Sequence, residues 1–188
     1  MRSVMRLSLL VAALACVTLP LDAQTREGLM GDLLRDVTEV ETKVLGLARA
    51  IPAAAYDWRP GKGVRSTGEV FIHVAADNYF LPAAMGGEAP KETGISGKDY
   101  STVAAFEKRT MTRDQIIAEL EKSFAFLKKT MTDTSDAKLD APLEVFGQKM
   151  NYRRLWISTA THLHEHLGQL IAYARSNNVT PPWSKGAA

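Results

Sequence analysis

The sequence is poor in cysteine, with a single thiol, Cys16, among 188 residues. It also lacks a marked excess of either charge: 23 Lys and Arg stand against 21 Asp and Glu, and no long basic run occurs. That balance gives no electrostatic footprint for nucleic acid. Apolar runs long enough to cross a bilayer are missing too. The longest, from Leu7 to about Leu19, is too short to span one comfortably. There is no internal repeat, no low-complexity segment and no phosphate-cradling glycine loop.

What the apolar run does have is context. Arg2 and Arg6 precede it, Pro20 breaks it, and Leu21-Asp22-Ala23 places a small residue before Gln24. This is the three-part layout of a secretory signal peptide, so residues 1–23 are expected to be removed on export to the periplasm or outside the cell. Ala13-Leu14-Ala15-Cys16 resembles a lipoprotein cleavage box whose first position is usually Leu, which makes lipid anchoring at Cys16 the lesser alternative. Processing after Ala23 leaves 24–188 as one domain, close to neutral, with neither a disulfide nor a cysteine nucleophile.

Four helices and no strand are read from the pattern. The first covers about Thr25 to Ala50, where Leu29, Leu33, Val37, Val40, Val44 and Leu47 recur at helical spacing. The second starts at Ser66, which forms a capping-box pattern with Glu69, and stops at Gly86-Gly87. Along it Val70, Val74, Asp77 and Leu81 share a face, with His73 beside them. Gly87 to Ser101 reads as a polar surface loop able to line or cover a cleft. The third helix opens at Thr112 with Gln115 three residues on, and runs through Ile116, Leu120, Phe124 and Leu127. A loop with Pro142 and Gly147 leads to the fourth, from about Tyr152 to Ser176. Four long helices predict an all-α, up-and-down-type four-helix bundle, with the order of packing left open.

Three of the four histidines fall in HLHEH, residues 162–166. Turning the fourth helix by about 100° per residue separates them. Trp156, Ala160, Leu163, Leu167, Leu170 and Ala174 form an apolar stripe. His162, His166, Gln169 and Tyr173 form a second stripe to one side, while His164 falls off the other edge and Glu165 points away. His162 and His166, at i and i+4, can therefore hold one ion, and His164 cannot join them. A third ligand must come from elsewhere, and His73 is the remaining histidine. A bundle that sets the second helix beside the fourth would close the set. Asp77, one turn on, would orient an imidazole or serve as a fourth ligand. Three imidazoles favour zinc, nickel or a similar divalent ion over calcium or magnesium, and leave a position open to water or substrate. Trp58, Tyr79 and Tyr173 are candidates for the pocket wall, and Gln169 for a hydrogen bond to a ligand histidine. The histidines also have a metal-free reading, as a polar helix face with His73 hydrogen-bonded in the core.

HLHEHLGQLIAYAR resembles the His-x-x-x-His-x-Gly-Gln signature of the DinB-like (YfiT-like) metalloprotein family, with His162, His166, Gly168 and Gln169 on its four positions. Upstream, WRPGKGVRSTGEVFIHVAADN is similar to the family's second-helix region, ending at its third histidine, here His73. The resemblance implies a four-helix bundle carrying nickel or zinc on His73, His162 and His166. It also implies kinship with thiol-dependent transferases and isomerases, an activity that export would separate from its cytoplasmic thiols. His162, Glu165 and His166 match an inverted zincin motif as well, but no Asp or Glu follows Glu165 to supply that class's further ligand. The expected function is therefore a metal-dependent hydrolase or transferase acting on a small molecule, or else a non-catalytic metal- or ligand-binding bundle. Bundles often pair, so a homodimer is an expectation without an assignable seam.

Overall fold

The computed structural model describes residues 26–184; the expected signal peptide and Cys16 lie outside them. The elements are α1 (Leu29–Ala50), α2 (Thr67–Ala84), α3 (Ser101–Glu107), α4 (Arg113–Asp133), β1 (Pro142–Val145), β2 (Gln148–Asn151) and α5 (Tyr152–Ser176). Both capping boxes form. Ser66 Oγ accepts from Glu69 N–H while Glu69 accepts from Ser66 N–H, and Thr112 and Gln115 repeat the arrangement at α4.

α1 packs against α4 and α5, and α2 packs against the same two helices. α1 and α2 therefore stand diagonally across the bundle, as do α4 and α5, while α2 and α4 are neighbours, which corrects the up-and-down reading. The reason lies in the connections: residues 51–66 and 134–151 are each long enough to cross the end of the bundle, whereas a short turn would force sequence neighbours together. α2 is the central element. Every residue from Thr67 to Pro82 except Glu69 is buried, so the single apolar face expected of it is an all-round burial. Four polar side chains, Thr67, His73, Asp77 and Asn78, are buried with it. Asn78 is satisfied by Ser123 of α4 at 3.1 Å.

Three further differences bear on the site. The first helix begins at Leu29, since Gly28 at φ +87° cannot continue it backwards. The expected loop between Gly87 and Ser101 buries Thr93 and Ile95, and it leads into α3, which packs on α2. Gly97 presses against the end of α2 so closely that a Cβ there would lie 2.2 Å from Ala83 O. The loop containing Pro142 and Gly147 is an antiparallel hairpin, with Val145 paired to Gln148. Its two-residue turn, Phe146-Gly147, has both φ values positive, at 56° and 69°. Asn-Gly is the usual sequence there, and a phenylalanine in that slot hides the hairpin from pattern reading.

Candidate metal centre

α2 and α5 pack side by side, and this brings His73 against His162 and His166. One ring nitrogen from each histidine lies within 4.8 Å of the other two. The ring centroids are 4.4–5.2 Å apart and the rings are nearly perpendicular in every pair, at 81–84°. Three imidazoles thus converge from different directions on one point. The i, i+4 spacing on α5 supplies two of them, and the burial of α2 supplies the third. His164 stands apart, as its place on the other edge of the helix requires, and meets Asp36 of α1 through Nε2 at 2.9 Å.

Two of the three rings are fixed from behind. His73 Nδ1–H donates to Glu107 Oε1 of α3 at 2.5 Å, and the same carboxylate accepts from Arg65 at 3.1 Å. His166 Nδ1–H donates to Gln169 Oε1 at 2.9 Å. Gln169 in turn donates from Nε2 to Tyr173 Oη at 2.9 Å, and Tyr173 donates to Arg65 O at 3.2 Å. With Nδ1 engaged, the Nε2 lone pairs of His73 and His166 are free to face a cation. Gln169 therefore orients a histidine, and Tyr173 orients Gln169. Trp58 packs edge-on against Tyr173 at 5.2 Å and steadies that chain. Tyr79 does not reach the site: its hydroxyl donates to Glu119 at 2.8 Å.

Asp77 lies beside the set. Its Oδ2 is 2.8 Å from His162 Nε2 and 3.4 Å from His73 Nε2, yet the shorter contact is off the line a hydrogen bond needs. His162 Nε2 and Asp77 Oδ1 are buried without a hydrogen-bond partner among the described residues. Buried polar atoms left so cost about 1–3 kcal/mol each, and a cation against them removes that cost. The donor set of three imidazole nitrogens with a carboxylate alongside fits a borderline divalent ion such as zinc or nickel.

Electrostatics agree. Burial, with His162 and His73 beside it, pushes His166 down to about 4, so it stays neutral and able to ligate well below neutral pH. Burial opposes ionisation of Glu107, but hydrogen bonds from His73 and Arg65 outweigh it and hold its carboxyl below the usual range. Glu107 and Arg65 are the site residues that sequence reasoning missed. The one available signal was Val103 and Phe106 at i and i+3, too short a run to mark α3 as a helix.

A cleft of about 470 Å³ opens beside His162 and Asp77, walled by α5, the hairpin and Tyr100. Glu165 stands at this cleft, exposed.

Comparison with known proteins places the fold. The DinB superfamily model matches residues 37–170. A DinB-like protein from Bacillus cereus superposes with a TM-score of 0.64 at 15% identity, covering 80% of this chain and 93% of that one. YfiT from Bacillus subtilis, described as a probable metal-dependent hydrolase with an unusual four-helix bundle topology, gives 0.61 at 12% identity, over 84% and 94%. A mycothiol-dependent maleylpyruvate isomerase gives 0.59 at 16% identity, over 76% of this chain and 61% of that one. No curated protein sequence matches.

Proposed function

The chain belongs to the DinB superfamily, and from the site it carries we propose that it is an exported protein holding one zinc or nickel ion on His73, His162 and His166 and hydrolysing a small molecule there. The observation that carries this reading is the convergence of the three imidazoles, two of them oriented through Nδ1 by Glu107 and Gln169. A divalent ion supplies Lewis acidity at such a site. The chain's own residues do the rest. Glu107 and Gln169 hold the two rings, Asp77 offers a carboxylate oxygen next to the same point, and the cleft at His162 gives a small molecule access.

Group transfer to a thiol is the runner-up, supported by the likeness to the mycothiol-dependent isomerase. Export disfavours it, because low-molecular-weight thiols are cytoplasmic resources. The description of YfiT as a probable metal-dependent hydrolase supports hydrolysis instead. Among the described residues no helix is long and apolar enough to cross a membrane. The test is turnover of an ester, amide and lactone panel by zinc- and nickel-loaded protein, with His166→Ala beside it. Hydrolysis that needs both the ion and His166 supports the proposal. Ion binding without any turnover assigns the chain to the non-catalytic class.

A further inference from the structure

The cleft beside His162 has a chemistry of its own. Phe146, at the tip of the hairpin, has φ 56° and is 55% exposed. A left-handed backbone at a bulky residue costs about 1–2 kcal/mol, and exposure of the ring returns little of it. The only other non-glycine residue with positive φ among those described is Asn178, a residue type that tolerates the conformation. The hairpin turn demands the positive φ, so what calls for a reason outside folding is the choice of phenylalanine over asparagine at that position. Its ring completes a three-ring cluster with Tyr100 at 5.3 Å and with the buried Phe80 at 5.6 Å, and the outer two rings wall the cleft. Tyr100 is itself 47% exposed. Two large aromatic faces are thus held open to solvent beside the candidate metal centre.

Opposite them runs a polar stripe of α5: Arg154, Ser158, His162 and Glu165. The Arg154 guanidinium has no ion pair or hydrogen bond among the described residues. The larger cleft on the other side of Glu107, about 710 Å³, differs in this respect, because its arginines are committed. Arg59 pairs with Glu69, Arg65 with Glu107, and Arg109 and Arg113 hold backbone carbonyls. With a divalent ion in place, its charge and that of Arg154 exceed the charges of Asp77 and Glu165 by one. The loaded cleft is therefore suited to an anion.

We propose that this cleft binds a small organic acid with a flat unsaturated or aromatic body, its acid group on Arg154 and its body against the exposed faces of Tyr100 and Phe146. The reacting group then lies toward His162. A cleft of about 470 Å³ is the size that takes such a molecule. The proposal deepens the metal-site reading and rests on it for the net charge of the cleft and for the direction in which the ligand lies.

Benzenesulfonate is the probe, because a sulfonate pairs with arginine but ligates zinc poorly. Its affinity would be measured by calorimetry on protein of known zinc content. Methanesulfonate, which lacks the ring, and benzyl alcohol, which lacks the charge, are the comparisons. Benzenesulfonate is expected to bind at least tenfold more tightly than either. Arg154→Gln and Phe146→Asn should each weaken it about tenfold, and Arg153→Gln, whose arginine pairs with Asp140, should leave it unchanged. Both cleft residues are exposed, so folding is not at stake. Zinc-loaded protein in which neither variant changes the affinity overturns the cleft assignment and leaves the metal reading standing. If the protein takes up no zinc, the metal reading fails. The metal-free protein then decides the cleft: dependence on Arg154 and Phe146 sustains it, and equal binding to all variants overturns it.

Discussion

Glu107 offers a sharp test of how the centre is built, because it touches one ligand from behind and cannot itself reach the ion through that ring. Its Oε1 accepts from His73 Nδ1–H at 2.5 Å, and its side chain is only 21% exposed, so the hydrogen bond is charge-assisted and largely shielded. Removing such a partner typically weakens metal affinity by 10–100-fold, or about 1.4–2.8 kcal/mol. His73 is nearly fully buried and has no second acceptor at Nδ1, which places Glu107→Ala in the upper part of that range. Glu107→Gln keeps an acceptor oxygen and loses only the charge, so a loss of about three- to tenfold is expected. Glu107→Ala should also cost about 1–3 kcal/mol of folding stability, because it leaves the buried His73 Nδ1–H without an acceptor, whereas the half-exposed Arg65 pair adds at most about 1 kcal/mol; Glu107→Gln keeps the acceptor and should lose less. Competition with a chromogenic zinc chelator at fixed pH gives the three dissociation constants. Glu121→Ala, which removes a surface pair with Arg49, is the control. The expected order is wild type, then Gln, then Ala, with the control at wild type. Equal affinity in wild type and Glu107→Ala would refute the role given to the carboxylate and to α3.

Four further outcomes follow from the same structure. Gly168→Ala should raise stability by about 0.5–1 kcal/mol without weakening metal binding, because a Cβ there meets nothing within 4 Å and alanine favours the helix; thermal melts and zinc titration check both. Phe146→Asn should raise the melting temperature by relieving about 1 kcal/mol of left-handed strain, the reverse of its effect on ligand binding. Phe124→Ala, at a side chain with no exposure, should cost about 3–5 kcal/mol in a denaturant titration. Burial pushes the Tyr56 hydroxyl up to about 12, and it donates to Ala48 O at 2.7 Å. The folded state thus holds that proton more tightly than the unfolded chain. The corresponding stability is intact below pH 10 and is lost as pH rises through about 12, which ultraviolet titration of the phenols alongside unfolding will show.

The parts of the site that lie on one long helix were readable from sequence, and the parts that depend on how helices meet were not. α5 is 25 residues long, so helical arithmetic separates His162, His166, Gln169 and Tyr173 from His164 without reference to a fold. The capping boxes at Ser66 and Thr112 were equally local. That His73 faces α5 is a fact of packing. Pattern permitted it, and only the resemblance to the family selected it. Tyr79 lay on the same helix as His73 and was assigned to the wrong wall, because α2 is buried all round and no stripe marks which neighbour each side chain meets. Glu107 escaped notice on a seven-residue helix, below the length at which periodicity carries information. The hairpin escaped because its strands are four residues each and its turn uses Phe-Gly.

The central claim is that His73, His162 and His166 hold one ion. Its most direct test is the metal content of tag-free protein, beside His73→Ala and His166→Ala, after reconstitution with zinc or nickel. About one ion per chain in the wild type, lost in both variants although they come from different helices, is the predicted result. An unchanged content in His73→Ala, or no ion in the wild type, would contradict it.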